Sequence, residues 1–385
     1  MKIFPSFPLA AVIIAFVLGA CNFSFGNSGD TVPHDEDEIA TRLKEHVTTI
    51  VTHYKDKVLS WDVVNEAISP ALSNPNDWKD CLRRKNRSGD IGSGQISWYD
   101  AIGPEYVEIA FKAARDADPN VKLYYNDFNL NDANKARAVY NMVRDINTRF
   151  SDYGGRPLID GIGMQSHHHL ETDPATVEAS IQLFESLGVK IGISELDIQA
   201  VTYVNGTPQF SEHWQEEQAR QYAAMFKIFI THAESIARVT FWGLDDETSW
   251  LSSTKPTLFN ANFTAKPAFY AVEDPNAANF ADGGALMALM PLHTRYTNRF
   301  LIGNIASPSD LSGNGTRFNY LKKHFNVVTA ENAMKPDALR TSNKGFNFTQ
   351  ADTLVNAVKD AGLLMHGHTL VWHSQSPTWL TTRTK

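Results

Sequence analysis

From Asp35 onward the hydrophobic positions alternate between two periods. Ile39, Leu43, Val47, Ile50 and Tyr54 recur at helical spacing behind the acidic stretch Asp35–Glu38, which suits the positive end of a helix. Val58–Val64 is then a short apolar, β-branched run, as a strand buried on both faces requires. Similar runs follow at Val121–Tyr125, Ile159–Met164, Lys190–Ser194, Arg238–Trp242, Phe300–Gly303, Phe325–Thr329 and Leu363–Val371, giving eight candidate strands. Between them, Pro104–Ala117, Asp132–Phe150, Pro174–Leu187, Glu212–Ala233 and Thr349–Ala361 carry helical patterns. Eight strands alternating with helices predict an α/β fold, a (β/α)8 TIM barrel.

The order of these elements is unusual. Such a barrel begins with a strand and ends with a helix, whereas here a long helix comes first and 14 residues follow the last strand. The Asp35–Lys55 helix therefore reads as the crossover missing after that strand. Asn276–Arg295 has no strong pattern until its end, and its Ala/Gly-rich part, Ala277–Ala288, reads as a linker. Periodicity thus points to a rotated version of such a barrel.

The first residues stand apart. Lys2 precedes an apolar run from Pro8 to Ala20, the length of a signal-peptide core and too short to span a bilayer. It ends Leu18-Gly19-Ala20-Cys21, which resembles a bacterial lipobox. The expectation is a leader over 1–21, a lipid anchor at Cys21 and a polar tether over 22–34. The protein is then exported as a bacterial outer-membrane or cell-surface lipoprotein, or secreted if cleavage falls near Ala20. Cys81 is the other cysteine of two, so lipidation of Cys21 leaves no intramolecular disulfide.

Composition narrows the function classes. A 385-residue chain with 43% hydrophobic and 20% charged residues can bury a large core. A net charge of -8 argues against a nucleic-acid partner, and a monomer is expected.

The active site of such a barrel lies at the carboxyl ends of its strands, so the residues there are the candidates. They are Trp61-Asp62-Val63-Val64-Asn65-Glu66, Asn126-Asp127-Phe128-Asn129, Gln165-Ser166-His167-His168-His169, Glu195-Leu196-Asp197, Trp242-Gly243 with Trp250, Glu331-Asn332 with Lys335, and His366, His368, Trp372, His373 and Gln375. Two carboxylates from separate strands, Glu66 and Glu195, can flank a glycosidic bond, one protonated to donate to the leaving oxygen and the other ionised to attack. Asn65 can donate to a sugar hydroxyl, and Asp197 with His167 can hold Glu195 as an anion. His167–His169 also suggests a metal, but consecutive strand residues point to opposite faces and cannot all ligate one ion. No metal and no other cofactor is expected.

These segments resemble glycoside hydrolase family 10, the β-1,4-xylanases. Trp61–Glu66 is similar to the family's acid/base strand, and Ile193-Ser194-Glu195-Leu196-Asp197 to its nucleophile strand. Asp160–His167, Val239–Gly243, Thr329–Pro336 and Gly367–Gln375 are similar as well, so the resemblance covers about Asp35 to Thr382. The departure is order: segments like Phe300–Leu380 come first in the family, and segments like Asp35–Pro275 second, which implies a circular permutant with 35–275 and 296–385 as two parts of one barrel joined through 276–295. The resemblance implies a retaining endo-1,4-β-xylanase acting on xylan or xylo-oligosaccharides. In it Glu66 is the acid/base and Glu195 the nucleophile, supported by His167 and Asp197. Asn65, Gln165, His368 and Trp372 line the subsite beside the cut. Glu331, Asn332 and Lys335 bind the next sugar on the non-reducing side, Trp242 and Trp250 cap the two sugars, and Asn126 and Gln375 belong to the binding wall. His366 and His373 are open between site and core. Competing readings are a β-1,4-glucanase on the same fold, a non-catalytic surface glycan-binding barrel, and an oligomer swapped through Asp35–Lys55.

Overall fold

The structure, a computed structural model, describes residues 35–385 apart from 73, 313–314, 343–344 and 384–385. The predicted leader and tether, Cys21 included, lie outside the described residues.

Eight parallel strands close a barrel: β1 (Ser60–Asn65), β2 (Lys122–Asp127), β3 (Gly161–Met164), β4 (Lys190–Gln199), β5 (Ile236–Phe241), β6 (Leu301–Ala306), β7 (Val327–Ala330) and β8 (Leu364–Val371). Each is one of the runs selected by hydrophobicity. They are buried almost throughout, as helices outside and packed side chains inside demand. Neighbours round the barrel are neighbours in sequence. β8 pairs with β1, placing Ser60 opposite His366, Trp61 opposite Gly367 and Asp62 opposite His368. A small extra strand, His167–His169, extends the sheet beside the far end of β4.

The outer layer comprises α1 (Asp35–His53), α2 (Tyr106–Ala117), α3 (Ala133–Arg149), α4 (Pro174–Glu185), α5 (Trp214–Thr231), α6 (Pro267–Glu273), α7 (Thr316–His324) and α8 (Thr349–Asp360). Side chains start two of them: Asp132 accepts from the Lys135 amide ahead of α3, and Asp173 from the Ala175 amide ahead of α4, which opens on Pro174. α1 occupies the place of a helix following β8. Its apolar face, Ile39, Leu43, Val47 and Ile50, is wholly buried. His46 Nε2 lies 2.8 Å from the Leu370 carbonyl of β8, and Arg42 donates to the carbonyls of Trp379 (2.5 Å) and Thr382 (2.8 Å). The His53 ring stacks on Phe348 with centroids 3.9 Å apart.

The segment expected as a linker is anchored to the barrel at a few points. Leu286 and Leu292 are buried, Thr264 bridges to Ala285, and Tyr270 donates to the Gly283 carbonyl at 2.6 Å. Most of Ala277–Ala288 is exposed or half-buried, and Leu286 pins it to the core.

Large residues are accommodated by glycines on the adjacent strand, for Trp61 on the face toward the helices and for Asn126 inside the barrel. A Cβ on Gly367 would meet the Trp61 ring at 2.2 Å, and one on Gly163 would meet Asn126 Oδ1 at 2.2 Å. The second close approach bears on the site, because Asn126 holds one of the candidate carboxylates.

Candidate active site

Glu66 and Glu195 end up on the same rim of the barrel, at the carboxyl end of β1 and within β4. Glu66 has φ 56°, a left-handed backbone unusual for a side-chain-bearing residue. Its amide is held by the Asn126 carbonyl at 2.8 Å. Oε1 of Glu66 accepts from Gln165 Nε2 at 2.9 Å and from Asn65 Nδ2 at 3.3 Å, while Oε2 accepts from Trp372 Nε1 at 3.0 Å. Glu195 is 5% exposed. Its Oε1 accepts from Asn126 Nδ2 at 2.8 Å, and its Oε2 lies 3.2 Å from His167 Nε2. Nδ1 of the same imidazole lies 2.9 Å from Asp197 Oδ2, which also accepts from Trp250 Nε1 at 2.9 Å. Asn126 joins the two systems, since its Nδ2 also donates to Asn65 Oδ1 at 2.9 Å and its Oδ1 accepts from Ser194 Oγ at 2.6 Å.

These surroundings push the two carboxyls apart in acidity. Burial, followed by the charge of Asp127, raises Glu66 above the ordinary carboxylate range and outweighs the hydrogen bonds from Gln165 and Trp372. Burial alone would raise Glu195 as well. The hydrogen bond from His167 and the charges of His368 and His167 overcome it, so Glu195 falls below the ordinary range. Burial works against a charged His167, but Asp197 and then Glu195 drive its pKa up to about 10. It is therefore an imidazolium at neutral pH, and both ring N–H groups donate, one to each acid. One carboxyl that holds its proton more tightly beside one that gives it up more readily is the division of labour that acid-assisted displacement needs.

Beneath this lies a buried polar layer. His368 Nδ1 donates to Asp62 Oδ2 at 3.0 Å, fixing the ring that faces the site. His366 lies deeper. Its Nε2 lies 2.8 Å from Arg238 Nη2 and 3.0 Å from Asp62 Oδ2, and its Nδ1 2.7 Å from Ser60 Oγ. Burial and the Arg238 charge lower its pKa to about 4, and it belongs to the core. His373 approaches Glu66 Oε2 at 4.0 Å and lines a small pocket behind it, its pKa lowered to about 3 chiefly by burial.

A cleft of about 930 Å³ opens over the pair. Asn65, Glu66, Gln165, His167, Glu195, Trp242, Trp250, Glu331, Asn332, Lys335, His368, Trp372 and Gln375 all line it. Lys335 Nζ is fixed by Asn332 Oδ1 and Gln375 Oε1, both at 2.9 Å, and Glu331 accepts from Ser307 Oγ at 2.9 Å. Two expected residues stand behind the wall. Asp197 contacts the cleft only through His167 and Trp250. Asn126, expected to bind substrate, is fully buried, its amide already engaged by Asn65, Glu195 and Ser194.

Phe128, Asn129, His169, Gln199 and Tyr203 also line the cleft. Tyr203 was missed because its hairpin, Thr202–Val204 with Thr207–Gln209, has no apolar alternation. The turn between its strands, Asn205-Gly206 with φ 51° and 76°, was the available signal. Round the barrel, the loops after β3 and β4 face those after β7 and β8, so Tyr203 stands across the cleft from Glu331 and Lys335. Of the three histidines, His167 and His169 reach the cleft and His168 is buried away from it. Among the described residues no group of three or more potential ligands is placed to hold a metal ion.

The family model described as glycosyl hydrolase family 10 matches residues 25–275 and 291–385. The chain belongs to glycosyl hydrolase family 10. It is 40% identical over 247 residues to an endo-1,4-beta-xylanase A of Thermotoga neapolitana, a match covering 62% of this chain and 21% of that protein. Among solved structures, a family 10 xylanase with a bacterial Ig-like domain from termite gut is 36% identical with TM-score 0.55, covering 61% of this chain and 53% of the other. A mutant of an intracellular xylanase from Thermoanaerobacterium saccharolyticum, in complex with xylotriose, is 35% identical with TM-score 0.51, covering 62% and 67%. The chain thus spans about a fifth of the Thermotoga protein (21%) and about half of the termite-gut one (53%).

Proposed function

We propose that this family 10 member is a retaining endo-1,4-β-xylanase. The observation that carries the reading is the opposite displacement of Glu66 and Glu195 at the floor of one large cleft. Glu66, in its acid form, donates to the glycosidic oxygen as the bond to the anomeric carbon breaks. Glu195, ionised, attacks that carbon and forms a glycosyl-enzyme. Glu66, now a carboxylate, takes a proton from water, which attacks the same carbon and releases a sugar of unchanged configuration. His167 and Asn126 keep the nucleophile charged and aimed between steps. Glu331, Asn332 and Lys335 hold the sugar on the non-reducing side, with Trp242 and Trp250 over the pair of sugars. The named relatives support xylan as substrate. So does Lys335, held at the cleft wall by Asn332 and Gln375: the family resemblance sets it, with Trp250, at the place where glucose would carry the hydroxymethyl group that xylose lacks.

The test is hydrolysis of xylan and of soluble β-1,4-glucan by the purified protein, with the product anomer followed by NMR. Xylan should be cleaved faster, with β-product first. Faster glucan cleavage moves the substrate to glucan, α-product overturns retention, and binding of either glycan without cleavage makes the protein a glycan-binding barrel.

We also propose that the strand order is circularly permuted relative to the family, and that the protein is exported and lipid-anchored at Cys21. The two separate matched segments support the first, as does α1 seated where a helix after β8 belongs. Incorporation of labelled palmitate, lost in Cys21→Ser, tests the anchor.

A further inference from the structure

We propose that Arg317 is a positioning residue for the sugar site: from outside the cleft it fixes the loop that carries Trp250 against the turn that holds Glu331. The proposal rests on the reading of the cleft as a xylan-binding site.

Arg317 leaves the first turn of α7 and is not on the cleft wall. All three arms of its fork are used. Nη1 donates to Asp245 Oδ2 at 2.5 Å, Nη2 to Thr248 Oγ1 at 2.8 Å and Nε to Asp310 Oδ1 at 2.8 Å. Asp245, 1% exposed, is the organiser of the loop after β5. Its Oδ1 accepts from the amides of Glu247 (3.1 Å) and Thr248 (3.2 Å), and its Oδ2 from Thr248 Oγ1 (2.9 Å). Two residues on, Trp250 turns into the cleft and donates to Asp197. On the other side, Asp310 Oδ2 accepts from the Ser307 amide at 2.7 Å, and Ser307 Oγ donates to Glu331.

A continuous chain of polar contacts therefore runs behind the wall from the Trp250 loop through Arg317 to Glu331, crossing the loops after β5, β6 and β7. Trp250 is 59% exposed and its ring is held only by the bond to Asp197 and an edge contact with His167, so the hydrogen bonds at the base of its loop share in setting where the ring stands. The buried charge of Asp245 needs a cation, and the planar fork serves Asp245, Thr248 and Asp310 at once, which a lysine cannot do. Arg317 thereby sets the distance between the indole over one sugar and the carboxylate that binds the next.

Four proteins test this on xylotetraose: wild type, Arg317→Gln, Trp250→Ala and the double variant. Arg317→Gln should raise KM about tenfold with kcat within about threefold, and the double variant should match Trp250→Ala, because residues acting as one unit are not additive. Thr248→Val removes the hydroxyl's two contacts, with Arg317 and with Asp245, while keeping the ion pair, and should raise KM in the same direction if Arg317→Gln does not fold. Fluorotryptophan NMR supplies a readout without turnover. The Trp250 resonance, identified by its loss in Trp250→Ala, should shift and broaden in Arg317→Gln and Thr248→Val. Increases in KM that multiply, or an unmoved Trp250 resonance, overturn the proposal. If wild type fails to cleave xylotetraose, the functional reading falls and the resonance still decides the role of Arg317.

Discussion

Asn126 sits between the two glutamates, and its place depends on a glycine one strand away. Its Oδ1 occupies the space a Cβ at residue 163 would need, 2.2 Å distant. Gly163→Ala should therefore push the amide off Glu195 and Asn65. With about 2 kcal/mol of hydrogen bonding to a charged group at stake, kcat should fall at least tenfold while circular dichroism stays native. The pH profile follows from the two carboxyls. Glu195, displaced downward, must be ionised and limits the rate on the acid side. Glu66, displaced upward, must be protonated and limits it on the alkaline side. His167→Gln removes the cation that holds Glu195 down, so the acid limb of kcat/KM should move to higher pH. The alkaline limb should stay, because burial and Asp127 set it. A pH–rate series on an aryl xylobioside shows which limb moves. Both glutamates were legible in the sequence, because the motif and the strand-end position agree. Asn126 was not, because whether an amide lines a cleft or stands behind it depends on which strands adjoin, here β2 beside β3 and β3 beside β4.

The barrel strands were legible for a different reason: burial on both faces leaves a run with no polar alternation, and eight such runs recur. Their ends were not. β4 continues past Ser194 to Gln199 because the rim pairs with His167–His169, a tertiary contact that no local pattern carries. α6 and α7 were missed as well, one being a single short run after Pro267 and the other mostly polar. α1 was predicted from five apolar positions, but its polar anchor was not. His46 is fully buried and hydrogen-bonded to β8, and burial lowers its pKa to about 4. The unfolded chain binds that proton near pH 6.5, so the contribution is complete above about 6.5 and is lost as pH falls toward 4. For one histidine this amounts to about 3 kcal/mol. His46→Gln keeps a donor for Leu370 and removes the titration. Urea unfolding at pH 7 and pH 4 should show a smaller acid loss in the variant than in wild type by about that amount.

At the scale of the whole molecule, neither part of the chain can make the site alone. Residues 35–275 supply both glutamates, and 296–385 supply Glu331, Asn332, Lys335, His368, Trp372 and Gln375. The same division runs through the sheet. Without β6–β8, β1 and β5 would both be open edges, and Trp61 would lose the strand that covers it. Arg42 and His46 would also lose their carbonyl partners near Leu370, Trp379 and Thr382. Chain order, by contrast, enters none of these contacts. If the order is a permutation of the family's, a gene encoding 296–385 ahead of 35–275, joined by a short flexible linker from Thr382 to Asp35, should give the same barrel. Its kcat on xylan should agree with that of the present order within about threefold, since loop closure changes stability by only about 1 kcal/mol and leaves the rim untouched. Residues 35–275 alone should aggregate and show no turnover. A rearranged protein that folds, by circular dichroism, but has lost its activity would mean that the join at 276–295, packed through Leu286 and Leu292, shapes the site rather than merely connecting its two parts.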